Sequence, residues 1–92
     1  GVPKDDTEAV KWFRKAADEG DAQAQTELGS MYAFGLGVPK DDAEAYRWWL
    51  LAGAQGNKQA RRGIDLIEKR LTPEQRAEGQ RMAREFKPKE SK

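Results

Sequence analysis

The chain of 92 residues contains no cysteine, no histidine and only four prolines. Without cysteine there is no disulfide framework, no thiol nucleophile and no cysteine-based zinc site. Without histidine the commonest general base and the commonest transition-metal ligand are both missing. A net charge of either sign is also nearly absent. Seventeen Lys and Arg stand against sixteen Asp and Glu, a formal net charge of +1, whereas a dedicated nucleic-acid binder shows a strong basic excess. No apolar run approaches the roughly 20 residues of a membrane-spanning helix. What remains is one small, mostly helical domain with a limited core. Three Trp, three Phe and two Tyr must supply much of its apolar area.

The sequence repeats itself. Gly1-Val2-Pro3-Lys4-Asp5-Asp6 returns unchanged as Gly37-Val38-Pro39-Lys40-Asp41-Asp42, a period of 36 residues. In the same register Glu8 pairs with Glu44, Ala9 with Ala45, Trp12 with Trp48, Ala16 with Ala52 and Gly20 with Gly56. Gln23 and Ala24 return as Gln59 and Ala60. A period in the mid-thirties is the length of a helix-turn-helix repeat.

Hydrophobic spacing predicts five helices. Glu8 to Glu19 places Ala9, Trp12, Phe13, Ala16 and Ala17 on one stripe. Gly20 ends it, and Asp21 caps a second helix running to about Phe34 with Ala24, Leu28, Met31 and Tyr32 inward. Two glycines and a proline keep Gly35 to Pro39 a loop, and Gly35-Leu36-Gly37 there calls for positive φ. Asp41 opens the third helix, with Glu44 placed for a capping box and Ala45, Trp48, Trp49 and Ala52 inward. Gly53 and Gly56 close that stripe. The fourth helix, about Lys58 to Leu71, carries Ala60, Ile64, Ile67 and Leu71. Thr72-Pro73-Glu74-Gln75 is a helix start. A fifth helix follows to about Lys87, with Ala77, Met82, Ala83 and Phe86 as its apolar stripe. Pro88 to Lys92 is expected to fray. Interspersed small residues let the helices approach while the Trp rings fill the space between them.

The pattern Ala24-x-x-x-Leu28-Gly29-x-x-Tyr32-x-x-Gly35-x-Gly37-Val38-x-x-Asp41, followed by Ala45-x-x-Trp48-x-x-x-Ala52, resembles the Sel1-like repeat, a relative of the tetratricopeptide repeat. The resemblance covers about residues 1 to 71. It implies an all-α fold: a right-handed helix-turn-helix repeat solenoid with a C-terminal capping helix. On that frame residues 1–20 are the second half of a repeat and 21–56 a complete one. Residues 57–71 are a degenerate terminal helix, with Ile64-Asp65 and Glu68 where the previous copy has Leu28-Gly29 and Tyr32. Residues 72–87 are the capping helix and 88–92 a disordered tail. The chain reads as the C-terminal piece of a longer array.

The resemblance also implies a non-catalytic adaptor that binds a protein or an extended peptide, with no cofactor and no metal. Such adaptors serve signalling, secretion or envelope processes and are frequently bacterial. The absence of cysteine suits either side of a bacterial inner membrane, with the exported side slightly favoured. By the same resemblance the partner-binding concave face maps to Gln23, Thr26, Ser30 and Ala33. One period on it maps to Gln59, Arg62, Leu66 and Lys69. An acidic residue of the partner would suit Arg62 and Lys69.

Other candidates have simpler explanations. Asp5-Asp6 and Asp41-Asp42 could serve acid–base chemistry or a hard cation, but each stands at a helix start, where capping explains it. Gly35-Leu36-Gly37 lacks the strand before it and the Lys-Ser/Thr after it that a phosphate loop needs. Helical spacing makes Trp12 and Trp48 core residues rather than stacking platforms, with Trp49 and Phe13 partly exposed. From Lys58 onward eleven basic residues face six acids, while the first 57 residues hold six against ten. A solvated helix face explains that polarity, and an attraction for acidic partners is the alternative. An alternative role is a structural cap or a self-association terminus, dimerising through the first helix around Trp12 and Phe13.

Overall fold

The computed structural model describes residues 5–90. The Gly1–Lys4 part of the first loop copy and the last two tail residues lie outside that range. Five helices are present and no strand among the described residues: α1 Asp6–Asp18, α2 Ala22–Phe34, α3 Asp42–Ala54, α4 Lys58–Ile67 and α5 Pro73–Glu85. The chain is an all-α repeat solenoid.

Each helix starts where a short polar side chain can take an orphan backbone N–H. Asp5 accepts from the Thr7 amide, Asp21 from Ala24, Asp41 from Glu44, Asn57 from Ala60 and Thr72 from Gln75. Caps of this kind are worth about 1 kcal/mol each. The box at Thr72 is reciprocal, since Gln75 Oε1 accepts from the Thr72 amide at 2.9 Å. The box expected at Asp41 is only half built. Glu44 turns instead to Arg47, which donates to both its carboxylate oxygens, and the Asp41 amide donates to the Tyr32 carbonyl. Gly35 ends α2 at φ 67° and Gly37 lies at φ 74°, so the loop between α2 and α3 uses the left-handed region as expected. α4 stops at Ile67, short of Leu71. Three-residue bonds into the carbonyls of Leu66 and Ile67 tighten its last turn, and Thr72 must stay extended before Pro73.

α3 is the hub. It packs on α2, α4 and α5, while α1 packs on α2. Its three aromatic rings carry these contacts. The Trp49 indole is wedged between two helical glycines. A Cβ on Gly29 of α2 would lie 2.5 Å from its Cδ1, and one on Gly63 of α4 would lie 2.7 Å from its Cδ2. Its Nε1 donates to the Thr26 carbonyl at 3.0 Å, so the ring is fixed by packing and by a buried hydrogen bond. Tyr46 lies where a Cβ on Gly79 of α5 would come within 2.7 Å of its ring. Its hydroxyl donates to Glu68 Oε2 at 2.9 Å and accepts from Gln80. Burial pushes this phenol above the ordinary tyrosine range, and Glu68 adds to the effect against the opposing Gln80 bond. Trp48 is fully buried and meets Phe86 edge to face at 5.7 Å.

α5 does not pack on α4, although a short turn joins them. It runs along α3, and the segment after it continues to α1. Where fraying is expected, Pro88 lies 3.5 Å from the Cβ position of Gly20, and the Lys89 amide donates to the Asp18 carbonyl at 2.7 Å. A second polar link crosses the interior. Buried Gln25 donates to the Ala17 carbonyl, and Gln55 donates both to Gln25 and to the Gly20 carbonyl.

Most inward positions match expectation, but the two outer Trp exchange roles. Trp12, expected in the core, is 63% exposed, whereas Trp49, expected to be partly exposed, is 7% exposed. Trp48 is covered by the chain that follows α5; Trp12, its counterpart one period earlier, has no such cover among the described residues. Val10 and Ala17 fill the inner side of α1 instead. On α5 Ala77 is exposed, and Gly79 holds the buried position.

Gly63→Ala is expected to destabilise the fold by about 1–3 kcal/mol through overpacking against Trp49. That loss should outweigh the ~1 kcal/mol that alanine gains over glycine in a helix. Urea unfolding measures it, with exposed Arg62→Ala as a control expected within about 0.5 kcal/mol of the parent. A Gly63→Ala protein as stable as the parent would mean that the indole has room to move.

Candidate functional site

α2 and α4 lie side by side, held by the Trp49 wedge, and a groove runs between them. Two adjoining hollows form it, and Phe34, Trp49 and Leu66 line both. Toward the helix starts the lining adds Thr26, Glu27, Ser30, Gln59, Arg62 and Gly63. Toward the helix ends it adds Ala33, Ile67 and Arg70. This second hollow encloses about 290 Å³. That is at the lower edge of small-molecule pockets, which span roughly 300–1,000 Å³, so it suits one inserted side chain better than a whole cofactor.

The groove has a fixed floor and free rims. Trp49 forms the floor. Phe34 on α2 and Leu66 on α4 stand over it at 66% and 67% exposure, two of the few large apolar side chains left in water. Phe34 is the last helical residue before the Gly35 cap, so its backbone is held while its ring is not packed. Charges flank this apolar centre. Arg62 lies one helical turn before Leu66 and makes no ion pair among the described residues. Arg70 lies one turn after it and is held by Asp42 at 2.8 Å. Glu27 on the opposite wall accepts from Gln23 on its own helix at 3.2 Å.

Of the eight residues assigned to the concave face, the structure gathers Thr26, Ser30, Gln59, Arg62 and Leu66 along one hollow and Ala33 along the other. Gln23 and Lys69 are exposed but line neither. Two of the eight need correction as surface residues. Thr26 is 2% exposed, its hydroxyl is turned back to the Ala22 carbonyl at 2.9 Å, and its own carbonyl receives Trp49. Ala33 is 3% exposed. Both lie on the side of α2 that faces α3, so they support the groove from below. Ser30 also spends its hydroxyl on its own helix, donating to the Thr26 carbonyl at 3.2 Å. Phe34, Trp49 and Arg70 are additions. Phe34 follows Ser30 by one turn and Arg70 follows Leu66 by one turn, so extending the helical stripe by four residues would have found both.

Asp5 and Asp41 are spent on caps, and Asp42 on Arg70. No group of three or more acidic side chains able to hold a metal ion exists among the described residues. No helix among them is long and apolar enough to cross a membrane. The groove presents aromatic and aliphatic surface flanked by guanidinium groups.

The family model of the Sel1 repeat matches residues 1–21 and 22–57. No curated protein matches the sequence significantly. Among solved structures the chain is similar to a protective antigen present in uropathogenic Escherichia coli strains and displaying an SLR fold. The TM-score is 0.88 at 34% identity, over 92% of this chain and 18% of that one. The chain thus spans about a fifth of the length of that protein.

Floor and rim are expected to respond differently to truncation. Phe34→Ser and Leu66→Ser should each change stability by no more than about 0.5 kcal/mol, because the water-exposed rings and methyls hold little of the fold. Trp49→Ala should cost about 3–5 kcal/mol. Chemical denaturation of the three variants checks this. A large loss at either rim position would mean that it belongs to the core.

Proposed function

The chain belongs to the Sel1 repeat family, and on that premise we propose that it is a non-catalytic adaptor module whose α2/α4 groove binds a protein or an extended peptide. Repeats of this family generally act as protein-interaction scaffolds. One observation carries the reading for this chain: two large apolar side chains, Phe34 and Leu66, are left in water on facing rims of a groove with a rigid floor. Folding alone does not explain them, since exposed apolar surface arranged around a groove is a feature of binding sites. The residues proposed to bind are Ser30, Gln59, Arg62 and Leu66 from the concave-face set, joined by Phe34. Thr26 and Ala33 act beneath them. Gln23 and Lys69 lie at the margins.

The test uses a double variant, Arg62→Glu with Leu66→Asp, both at exposed positions. The parent chain is expected to capture a partner from the extract of cells that produce it, and the folded double variant is expected to lose that partner by at least about tenfold, given the cost of an opposed charge in an interface. Retention of the same partner by the folded variant would move the binding surface elsewhere.

A second reading, self-association, rests on Trp12, which is 63% exposed although its repeat counterpart Trp48 is buried. A second copy covering Trp12 would bury that ring. The average mass in sedimentation equilibrium is then expected to rise with concentration and to return to the monomer value in Trp12→Ser. A monomer mass at every concentration would remove this reading.

A further inference from the structure

The groove carries more than a general capacity to bind. Its centre is apolar, with Phe34 and Leu66 above Trp49, and its charged groups are placed in order along α4. Arg62 is one turn to one side of Leu66 and Arg70 one turn to the other. Four residues of helix rise about 6 Å, and an extended chain covers that distance in about two residues. The two guanidinium groups differ in what they already hold. Asp42 neutralises Arg70 at 2.8 Å, while Arg62 has no carboxylate within ion-pair distance among the described residues. Of the two guanidinium groups beside the apolar centre, the one without a carboxylate partner among the described residues is therefore Arg62, on one side only. Glu27, across the groove, accepts from the neutral Gln23 amide and keeps its own negative charge.

We propose that the groove selects an extended acidic peptide segment in which one large apolar side chain enters the space between Phe34 and Leu66, and a carboxylate about two residues away pairs with Arg62. The proposal rests on the preceding reading that this groove is the binding surface. A carboxylate on the Arg70 side is dispensable, because Asp42 occupies that guanidinium. The peptide main chain lies over the exposed rims and makes no demand on the buried hydroxyl of Thr26. Recognition combines a short apolar anchor with one directional charge, so it is salt-sensitive without being purely electrostatic.

The experiment is selection of phage-displayed random dodecapeptides on the full 92-residue chain, followed by binding of the selected peptides, made synthetically, to the parent and to variants. Enriched peptides are expected to pair an aromatic or large aliphatic residue with Asp or Glu about two positions away. Their affinity should fall about tenfold or more on Arg62→Glu, the scale of a lost charge-assisted bond, and on Leu66→Ala. It should be unmoved by Arg84→Glu on α5. Selection repeated on Arg62→Glu should enrich Lys or Arg in place of the acid. Peptides that depend on Leu66 but carry no acid, or that ignore Arg62→Glu, overturn the charge assignment while leaving the groove as a binding surface. Peptides indifferent to Leu66 and Phe34, or no enrichment at all, overturn the groove reading itself. Circular dichroism of each variant keeps loss of binding apart from loss of fold.

Discussion

The position of the Trp49 indole sets the rest of the molecule. α2 and α4 are consecutive first helices of their helix pairs and barely touch each other directly. What relates them is a single aromatic ring from α3, flat against the bare backbone at Gly29 on one side and Gly63 on the other. The hydrogen bond from its Nε1 to the Thr26 carbonyl removes the remaining freedom. A smaller side chain at position 49 would let the helices collapse or slide, and a larger residue at either glycine would spread them. The width of the groove is therefore a packing quantity, determined from inside the core.

The same ring serves core and surface at once, and this explains how so small a chain can keep an open groove. Its buried area is limited, and α3 uses three aromatic rings to reach three neighbouring helices. Trp49 spends most of its ring on the core and lines the groove with the little that is left. Phe34 and Leu66 are then free of structural duty. The charged groups divide in the same way. Arg47, Arg70 and Arg76 are committed to Glu44, Asp42 and Glu68, while Arg62 is uncommitted.

Much of this was legible in the residues. The 36-residue period, the helix starts at Asp21, Asp41 and Thr72, and the glycine loop all follow from local chemistry that the fold respects. On α3 the inward positions Ala45, Trp48 and Ala52 were readable from helical spacing. What escaped was anything decided by a neighbour far along the chain. Trp12 and Trp48 are equivalent by period, yet Phe86 covers only one of them. Trp49 was read as partly exposed because nothing in a helical wheel reveals that two glycines elsewhere leave a slot for it. Thr26 and Ala33 were placed on the surface by analogy of register, and the approach of α3 buries them. Ser30 on α2 and Gln59, Arg62 and Leu66 on α4 line the groove, because the three- and four-residue spacing that singled them out keeps them on one side of each helix.

The segment after α5 has a consequence for how the molecule comes apart. In an ideal linear array each unit touches only its neighbours, so either end can peel away while the middle stays intact. Here Phe86 rests on Trp48, and Lys89 is bonded through its amide and its ammonium to Asp18, 71 positions earlier in the chain. The segment around Phe86 to Lys89 thereby clasps α1 and α3. These contacts tie α3 and α1 to the same C-terminal segment, so they couple helices that a linear array would leave to their immediate neighbours.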